Sequence, residues 1–437
     1  MNKIQNKNIN IDNFDTTNEQ FQKIFEIVNN TNRSLLITGE AGSGKSTILN
    51  KLHQFTHKNI VVLAPTGLAA VNVNGQTIHR FCSFPPRMLI ADDISETKNP
   101  MHAKTIRKMD ILIIDEISMV RADTFDAIDL YLRLNRKINE PFGGLQIILF
   151  GDVMQLSPII NKEDSGIYFE RYKSPYFFDS YVFGNLDIEI IKLVKNYRQI
   201  NDQNFLSILR QIKQNKIDNN FLEMLNSNCL NNEIQEGAVC LTTTNNLAFE
   251  INEQKLKALS SKTYSFEAVI SGDISSKDCP ADQKLYLKKG AQIMFIKNDP
   301  LGRWVNGTVG VVKYVNDFVI EVTLENKNSV EVEPVRWENI RYYYDEESGS
   351  IKPQTIGYIE QYPIKLAWAV TVHKSQGQTF ESVIINLGNG SFAHGQTYVA
   401  LSRYKTLEGI KLIKPLTKKD FIVDHRVLEF LEEYQIS

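Results

Sequence analysis

The octapeptide GEAGSGKS at residues 39–46 constrains this chain more than any other stretch. It fits the pattern G-x-x-x-x-G-K-S/T, follows the apolar run SLLIT and precedes apolar residues at helical spacing. Gly42 and Gly44 let the loop curl so that backbone N–H groups face an anion at the open end of a helix. Lys45 reaches terminal phosphates, and the Ser46 hydroxyl can hold Mg2+. A strand, a loop and a helix in that order belong to a sheet covered by helices.

Further apolar runs repeat that alternation. Buried strands are expected at 34–38, 60–64, 111–115 and 146–150, and helices at 46–55 and 122–134. A second set of elements begins near Ile188, with strands around 238–242 and 382–387. At 437 residues the chain exceeds one ordinary core and divides into two or three domains. From Trp304 to about Tyr344 helix spacing gives way to β-rich segments, TVGVVKYV, FVIEVTLEN and SVEVEPVRW, which read as a small all-β insertion. The Pro-containing, acid-flanked stretch 84–100 interrupts the first set as a second insertion.

Composition excludes several classes. No apolar run has the length of a membrane span, and the Asn-rich N-terminus lacks the marks of a signal or transit peptide. Cys82, Cys229, Cys240 and Cys279 are widely spaced, which suits buried thiols rather than a disulfide framework or a zinc site. A cytoplasmic protein of prokaryotic or viral source is the expectation. The formal net charge of −2 argues against a uniformly basic nucleic-acid coat, so any strand-binding surface is a local groove.

Three more stretches carry chemistry. IIDE at 113–116 ends an apolar strand at the edge of the sheet where ligands gather, so Asp115 is assigned to the Mg2+ shell and Glu116 to the base that activates water. GDVMQLSP at 151–158 follows another strand, and Gln155 there can sense a γ-phosphate. A cation for the charge developing on the transferring phosphoryl group is sought in Arg198 of LVKNYRQ and Arg403 of VALSRYK. Small hydroxyl and amide groups follow strand ends at Pro65, Thr66 and Gly67, at Thr77 and His79, at Thr242, Thr243 and Asn245, and at Thr371, His373, Lys374 and Ser375 of TVHKSQG. Such groups suit contacts to phosphate and sugar, which position a strand without reading it. His79 reads equally well as a structural hydrogen-bonding residue. Among Phe81, Phe84 and Trp368, which could stack on bases, core packing is the expected role for at least two.

Together these segments resemble the PIF group (petite integration frequency) of superfamily 1B DNA helicases, with RecD as a more distant relative. The matching stretches are TTNEQ near Gln20, GEAGSGKST, APTGLAA, GQTIHRF, IIDEISMV, GDVMQLSP, LVKNYRQ, LTTTNNLA, VNGTVGVV, KLAWAVTVHKSQGQT and YVALSR, and DAIDLYLRLNR is similar to the group's own signature. The resemblance implies an α/β fold of two RecA-like P-loop domains with parallel sheets. Residues 1–185 would form the first, with a small wedge insertion about 82–100. Residues 186–302 and 360–437 would form the second, interrupted by a small β-barrel of the Src-homology-3 type at 303–359.

It also implies ATP-driven 5′-to-3′ translocation on single-stranded DNA. Forked or tailed duplexes, RNA–DNA hybrids and G-quadruplexes are the implied substrates, and DNA repair, recombination and telomere maintenance the implied roles. By motif position, Gln20, Gly39, Gly42, Ser43, Gly44, Lys45, Ser46, Thr47 and Gly377 would hold ATP, with Gln20 on adenine and Gln155 on the γ-phosphate. Ser46 and Asp115 would hold Mg2+, and Arg198 and Arg403 would be arginine fingers. Pro65, Thr66, Gly67, Thr77, His79, Thr242, Thr243, Asn245, Thr371, His373, Lys374 and Ser375 would line the DNA path. A monomeric core that pairs on DNA is expected. Three rival readings stay open: a RecD-like subunit of a larger complex, a P-loop remodelling ATPase that does not translocate, and a passive single-strand binder.

Overall fold

The computed structural model describes residues 15, 17–40, 42–161, 163–197, 203–234, 236–274, 280–325, 327–376, 378–380, 382–404 and 406–436. Its first sheet is all parallel and contains β1 (Ser34–Gly39), β2 (Ile60–Ala64), β3 (Gln76–Thr77), β4 (Ile111–Ile114), β5 (Gln146–Gly151) and β6 (Ile188–Leu193), in the order β3-β2-β4-β5-β1-β6. Every residue of β1, β2, β4 and β5 is buried, which their Ile/Val/Leu content requires of strands covered on both faces. The covering helices are α1 (Glu19–Asn30), α2 (Lys45–Phe55), α3 (Gly67–Asn72), α4 (Ile78–Cys82), α5 (Pro100–Lys108) and α6 (Ala122–Arg136). In α1 the Asn18 side chain caps the N-terminus, and Phe21, Ile24, Ile27 and Val28 bury one face.

The strand at Ile188, read from sequence as the start of the second set, is instead the sixth strand of the first sheet, paired with β1 from Ser34 to Gly39. Its partly polar pattern fits an edge position. The second parallel sheet follows the order Ala369–Thr371, Val239–Thr242, Val383–Asn386, Ile410–Leu412. Between its strands lies the β-rich region. One antiparallel sheet there joins Ser329–Glu331, Ile320–Leu324, Val309–Val315, Gln292–Phe295 and Ile364–Leu366 in spatial order, so it takes strands from both sides of 303–359.

Val335–Asp345 and Ser350–Gln361 leave that sheet as a long hairpin that reaches the first half. There the Tyr342 hydroxyl donates to Asn74 O at 3.3 Å and Ile351 N donates to Asn59 Oδ1 at 3.0 Å. Gln76 Nε2 donates to Ile340 O, and Lys104 pairs with Glu346.

A second seam lies at the C-terminus. Phe430, on the helix His425–Glu433, stacks on Phe178 with ring centroids 4.1 Å apart, and Arg426 pairs with Asp179 at 2.7 Å. One apolar cluster runs through both halves across this seam, from Leu149 and Met154 to Phe205, Tyr398 and Phe430.

The DAIDLYLRLNR stretch is most of α6, and its polar residues fasten neighbouring loops. Asp126 accepts from Tyr181 N at 3.1 Å and Val182 N at 2.9 Å. Asn135 accepts from Thr97 N at 2.9 Å. Arg136 donates to Ile106 O at 2.7 Å, Met109 O at 3.0 Å and Gly143 O at 2.7 Å. The excursion at 83–99 has no strand and lies on α6, with Leu89 N donating to Asp123 Oδ2 at 2.8 Å. Phe81 and Phe84 are in the core, and Trp368 packs against the core of the β-rich region. Cys82, Cys229 and Cys240 are buried free thiols, whereas Cys279 lies outside the described residues. Among the described residues no helix is long and apolar enough to cross a membrane.

Arg136 satisfies three carbonyls at the end of α5 and in the loop beyond α6, so its loss leaves them short of donors. Arg136→Ala should destabilise the protein by ~2–3 kcal/mol. A lowered urea midpoint at unchanged slope is the measurement.

Candidate functional site

Both parallel sheets turn the carboxyl ends of their strands to loops that carry the candidate residues, the place where open α/β folds bind ligands. Along the first sheet's order, the loops after β3 and β2 hold Thr77, Pro65, Thr66 and Gly67. The ends of β4 and β5 lead to Asp115, Glu116 and Gln155, and the end of β1 to the glycine-rich loop. Strand candidates thus sit at one edge of the sheet and phosphate candidates toward the other.

Gly42 and Gly44 hold φ of 87° and 93°, left-handed values that a side chain would strain. Gly44 is the N-cap of α2 and offers no side-chain cap, so the first N–H groups of the helix stay open to an anion. Lys45 Nζ donates to Gly39 O at 2.8 Å and Glu40 O at 3.0 Å. Burial lowers its pKa, and the carboxylates of Asp152, Glu116 and Asp115 counter that. Ser43 Oγ is buried and makes no hydrogen bond, an orphaned polar atom at the centre of the cradle. Ser46 and Thr47 are exposed on the first turn of α2. These features fit a bound triphosphate.

Gln20 lies beside β6, its amide nitrogen donating to Lys192 O and its oxygen accepting from Val194 N at 3.1 Å. Sequence reading missed the rings next to it. Tyr197 N donates to Gly42 O at 2.8 Å, and Phe21 and Tyr197 flank Gly44 so closely that a Cβ there would sit 3.1 Å from Phe21 and 3.6 Å from Tyr197.

Asp115 and Glu116 are recessed in the cleft. Burial pushes the Asp115 carboxyl up to about 6, against the Glu116 N–H and Lys45. Burial, with Asp115 beside it, pushes Glu116 up to about 7. Glu116 has φ of 50° and turns the chain out of β4 into a short 3-10 turn, a strained position for a side-chain-bearing residue. Among the described residues no cluster of three His, Cys, Asp or Glu is set to hold a metal. The Asp115 carboxylate and the Ser46 hydroxyl are oxygen donors of the kind Mg2+ takes alongside phosphate oxygens.

Asp152 is the residue that binds the cleft together, and it was overlooked within the quoted GDVMQLSP. Lys213 Nζ, from the helix Gln203–Lys213, lies 3.2 Å from its Oδ2. Tyr398 OH donates to the same oxygen at 3.4 Å, as does Gln155 Nε2 at 3.4 Å, and Lys213 sits 5.0 Å over the Tyr398 ring. Burial works to raise the Asp152 pKa, but Lys213 and Lys45 outweigh it and hold the carboxyl below its usual range. Burial likewise works to lower Lys213, and Asp152 reverses it, so the ammonium stays charged. Nothing at the sequence level marks Lys213. An acid directly after β5 was the available signal for Asp152.

The second half closes over this cleft. Gly395, with φ of 74°, lies where a Cβ would come 2.5 Å from Gln155 O, so a side chain there would push the two halves apart. Gln376 Nε2 donates to Glu116 Oε2 at 3.0 Å and to Gln155 Oε1 at 3.1 Å, another contact that sequence reading missed. Arg403 is 1% exposed, with Nε on Val399 O at 3.0 Å, Nη2 on Ser402 Oγ at 2.9 Å, and Nη1 on Ser375 O and Gln378 O, each at 3.4 Å. It lies near enough to lower the pKa of Glu116. Arg198 and Gly377 fall outside the described residues.

The strand candidates divide by exposure. Thr242, Thr243 and Ser375 are buried and donate their hydroxyls to the carbonyls of Thr244, Leu387 and Val372, at 3.1, 3.2 and 2.8 Å. Thr371 is buried too, and its oxygen accepts from Lys374 N at 3.3 Å. These residues shape loops and offer a strand only backbone. Thr66 caps α3 by accepting from Ala69 N at 3.2 Å, whereas Thr77 begins α4 without using its side chain as a cap. His79 is held neutral by burial and by Arg121, and His373 by burial. Asn245 and Lys374 are exposed.

Comparison with known proteins places the whole chain beside one family of enzymes. A family model described as PIF1-like helicase matches residues 15–232. The ATP-dependent DNA helicase Pif1 of Bdellovibrio bacteriovorus is 30% identical over 410 residues, covering 92% of this chain and 89% of that protein. The crystal structure of Bacteroides sp. Pif1 in complex with ADP-AlF4 is similar with a TM-score of 0.88 at 34% identity, over 96% of this chain and 97% of that one. Bacteroides Pif1 bound to ssDNA is similar at 35% identity over the same shares, with a TM-score of 0.70.

Two outcomes are expected from the cleft's charges. Because Glu116 must lose its proton to act as a base, kcat/KM for nucleotide hydrolysis should rise with pH through about 7 and fall in acid, read from a pH–rate profile. Lys213→Met strands the Asp152 charge and should cost about 3–5 kcal/mol, with part recovered in the double variant with Asp152→Asn. Melting curves of the two variants against the unaltered protein test this.

Proposed function

The chain belongs to the PIF1-like helicase family, and on that premise we propose that it is an ATP-driven motor that moves 5′ to 3′ along single-stranded DNA and opens forked or tailed duplexes. Lys45, Asp115, Glu116 and Gln155 from the first half and Arg403 from the second form the hydrolytic cleft. Lys45 exchanges the Gly39 and Glu40 carbonyls for terminal phosphates, and Glu116 takes the proton of the attacking water. Ser46 and Asp115 would hold Mg2+, which would neutralise phosphate charge. Arg403, braced against the Ser375 and Gln378 carbonyls, brings positive charge toward the cleft as the halves close, and Arg198 is the partner cation.

The observation that carries this reading is the bonding of Gln376 to Glu116 and Gln155, because it joins the cleft to the loop bearing Lys374. A change at the nucleotide is therefore felt where a strand would lie. The lower TM-score of the ssDNA-bound relative, at equal coverage, supports a rearrangement of the halves when a strand is engaged. The exposed or half-buried strand candidates, Pro65, Thr66, Gly67, Thr77, His79, Asn245, His373 and Lys374, grip phosphate and sugar. The buried Thr242, Thr243, Thr371 and Ser375 hold the loops that do so. Such a grip ignores sequence and weakens with salt. Duplex stacking is worth ~1.4 kcal/mol per base-pair step, within reach of one nucleotide hydrolysed per step.

Duplexes with a 5′ or a 3′ single-stranded tail test activity and polarity together. Unwinding of the 5′-tailed substrate, absent from the 3′-tailed one and abolished by Lys45→Ala, is the expected result. An ATPase indifferent to single-stranded DNA would instead mark a remodelling ATPase. Unwinding that required added proteins would mark a subunit of a larger complex.

A further inference from the structure

The turn at 371–376 is cross-braced. Ser375 N donates to Thr371 O at 3.0 Å, Gln376 N to His373 O at 3.2 Å, and Gln378 N to Ser375 O at 3.0 Å. Ser375 Oγ donates to Val372 O at 2.8 Å, and Arg403 reaches Ser375 O and Gln378 O from within the second half at 3.4 Å each. A turn held at so many points moves as a unit. It exposes Lys374, yet two residues on it places Gln376 against Glu116 and Gln155.

The chemistry of that contact is specific. An amide nitrogen carries two hydrogens, and here one goes to the Glu116 carboxylate and the other to the Gln155 carbonyl. A donor on a carboxylate fixes its orientation and occupies one of its lone pairs. The base that activates water and the group that senses the γ-phosphate are thus engaged by one side chain from the opposite half.

We propose that Gln376 is a positioning residue that restrains Glu116 and Gln155 until a DNA strand shifts the 371–376 turn, so that hydrolysis waits for the strand. A phosphate drawn to Lys374 displaces the turn. Gln376 leaves with it, and Glu116 and Gln155 become available to water and nucleotide. This rests on the helicase reading above and adds the device by which idle hydrolysis is held down.

The test is the ATPase of the full chain with and without oligo-dT, for wild type, Gln376→Ala and Gln376→Glu, the second placing an acceptor where a donor was. Both variants should raise the strand-independent rate by roughly tenfold, the ratio that one charge-assisted hydrogen bond sustains. The stimulation ratio should collapse while oligo-dT affinity, read by fluorescence anisotropy, is retained because Lys374 is intact. Variants whose two rates fall in parallel, or whose strand-independent rate is unchanged, overturn the proposal. A wild-type ATPase with no response to oligo-dT would instead overturn the helicase reading itself.

Discussion

A single buried carboxylate sets the charge balance of the cleft. Asp152, 3% exposed, faces the Lys213 ammonium, the Tyr398 hydroxyl and the Gln155 amide, and lies in the field of Lys45. Charges out of water persist only when paired and hydrogen-bonded, and here the partners come from three separate segments. Asp152 thereby keeps the Lys213 ammonium charged and counters the burial that lowers the Lys45 pKa. Without that acid, burial would push Lys213 toward neutrality and Lys45 further in the same direction.

The same residue ties chemistry to architecture. Lys213 and Tyr398 belong to the second half, so the ion pair is also a joint between halves. Around it the seam is apolar, running into the stack of Phe430 on Phe178. A seam of this kind holds one edge of the cleft fixed. At the far edge, the hairpin of Val335–Asp345 and Ser350–Gln361 is also fastened to the first half, by the buried Tyr342 in the shared apolar cluster and by polar contacts at Asn74 and Asn59.

What could be read from sequence follows from how local each signal is. The glycine-rich loop and the acids after β4 are contiguous motifs at strand ends, so the chain itself announces them. Strands 60–64 and 111–114 declare themselves by unbroken apolar runs. β6 was assigned to the wrong half because a strand's partner is not written in its own residues; only pairing with β1 reveals its sheet. Gln376 and Lys213 were missed for a related reason. Each matters through a neighbour at least 60 residues away, Glu116 and Gln155 for one and Asp152 for the other. The threonines at 242 and 243 show the converse limit. A hydroxyl after a strand reads alike whether it faces solvent or bonds to a neighbouring carbonyl, and here both turn inward.

The membership of β6 in the first sheet has a bearing on how the protein can be divided. A fragment ending before Ile188 would leave β1, the strand that feeds the phosphate loop, with one side of its backbone unpaired. Naked strand edges recruit other chains. The halves are therefore poor candidates for separate expression at that point, and aggregation rather than a soluble nucleotide-binding module is what such a truncation would yield.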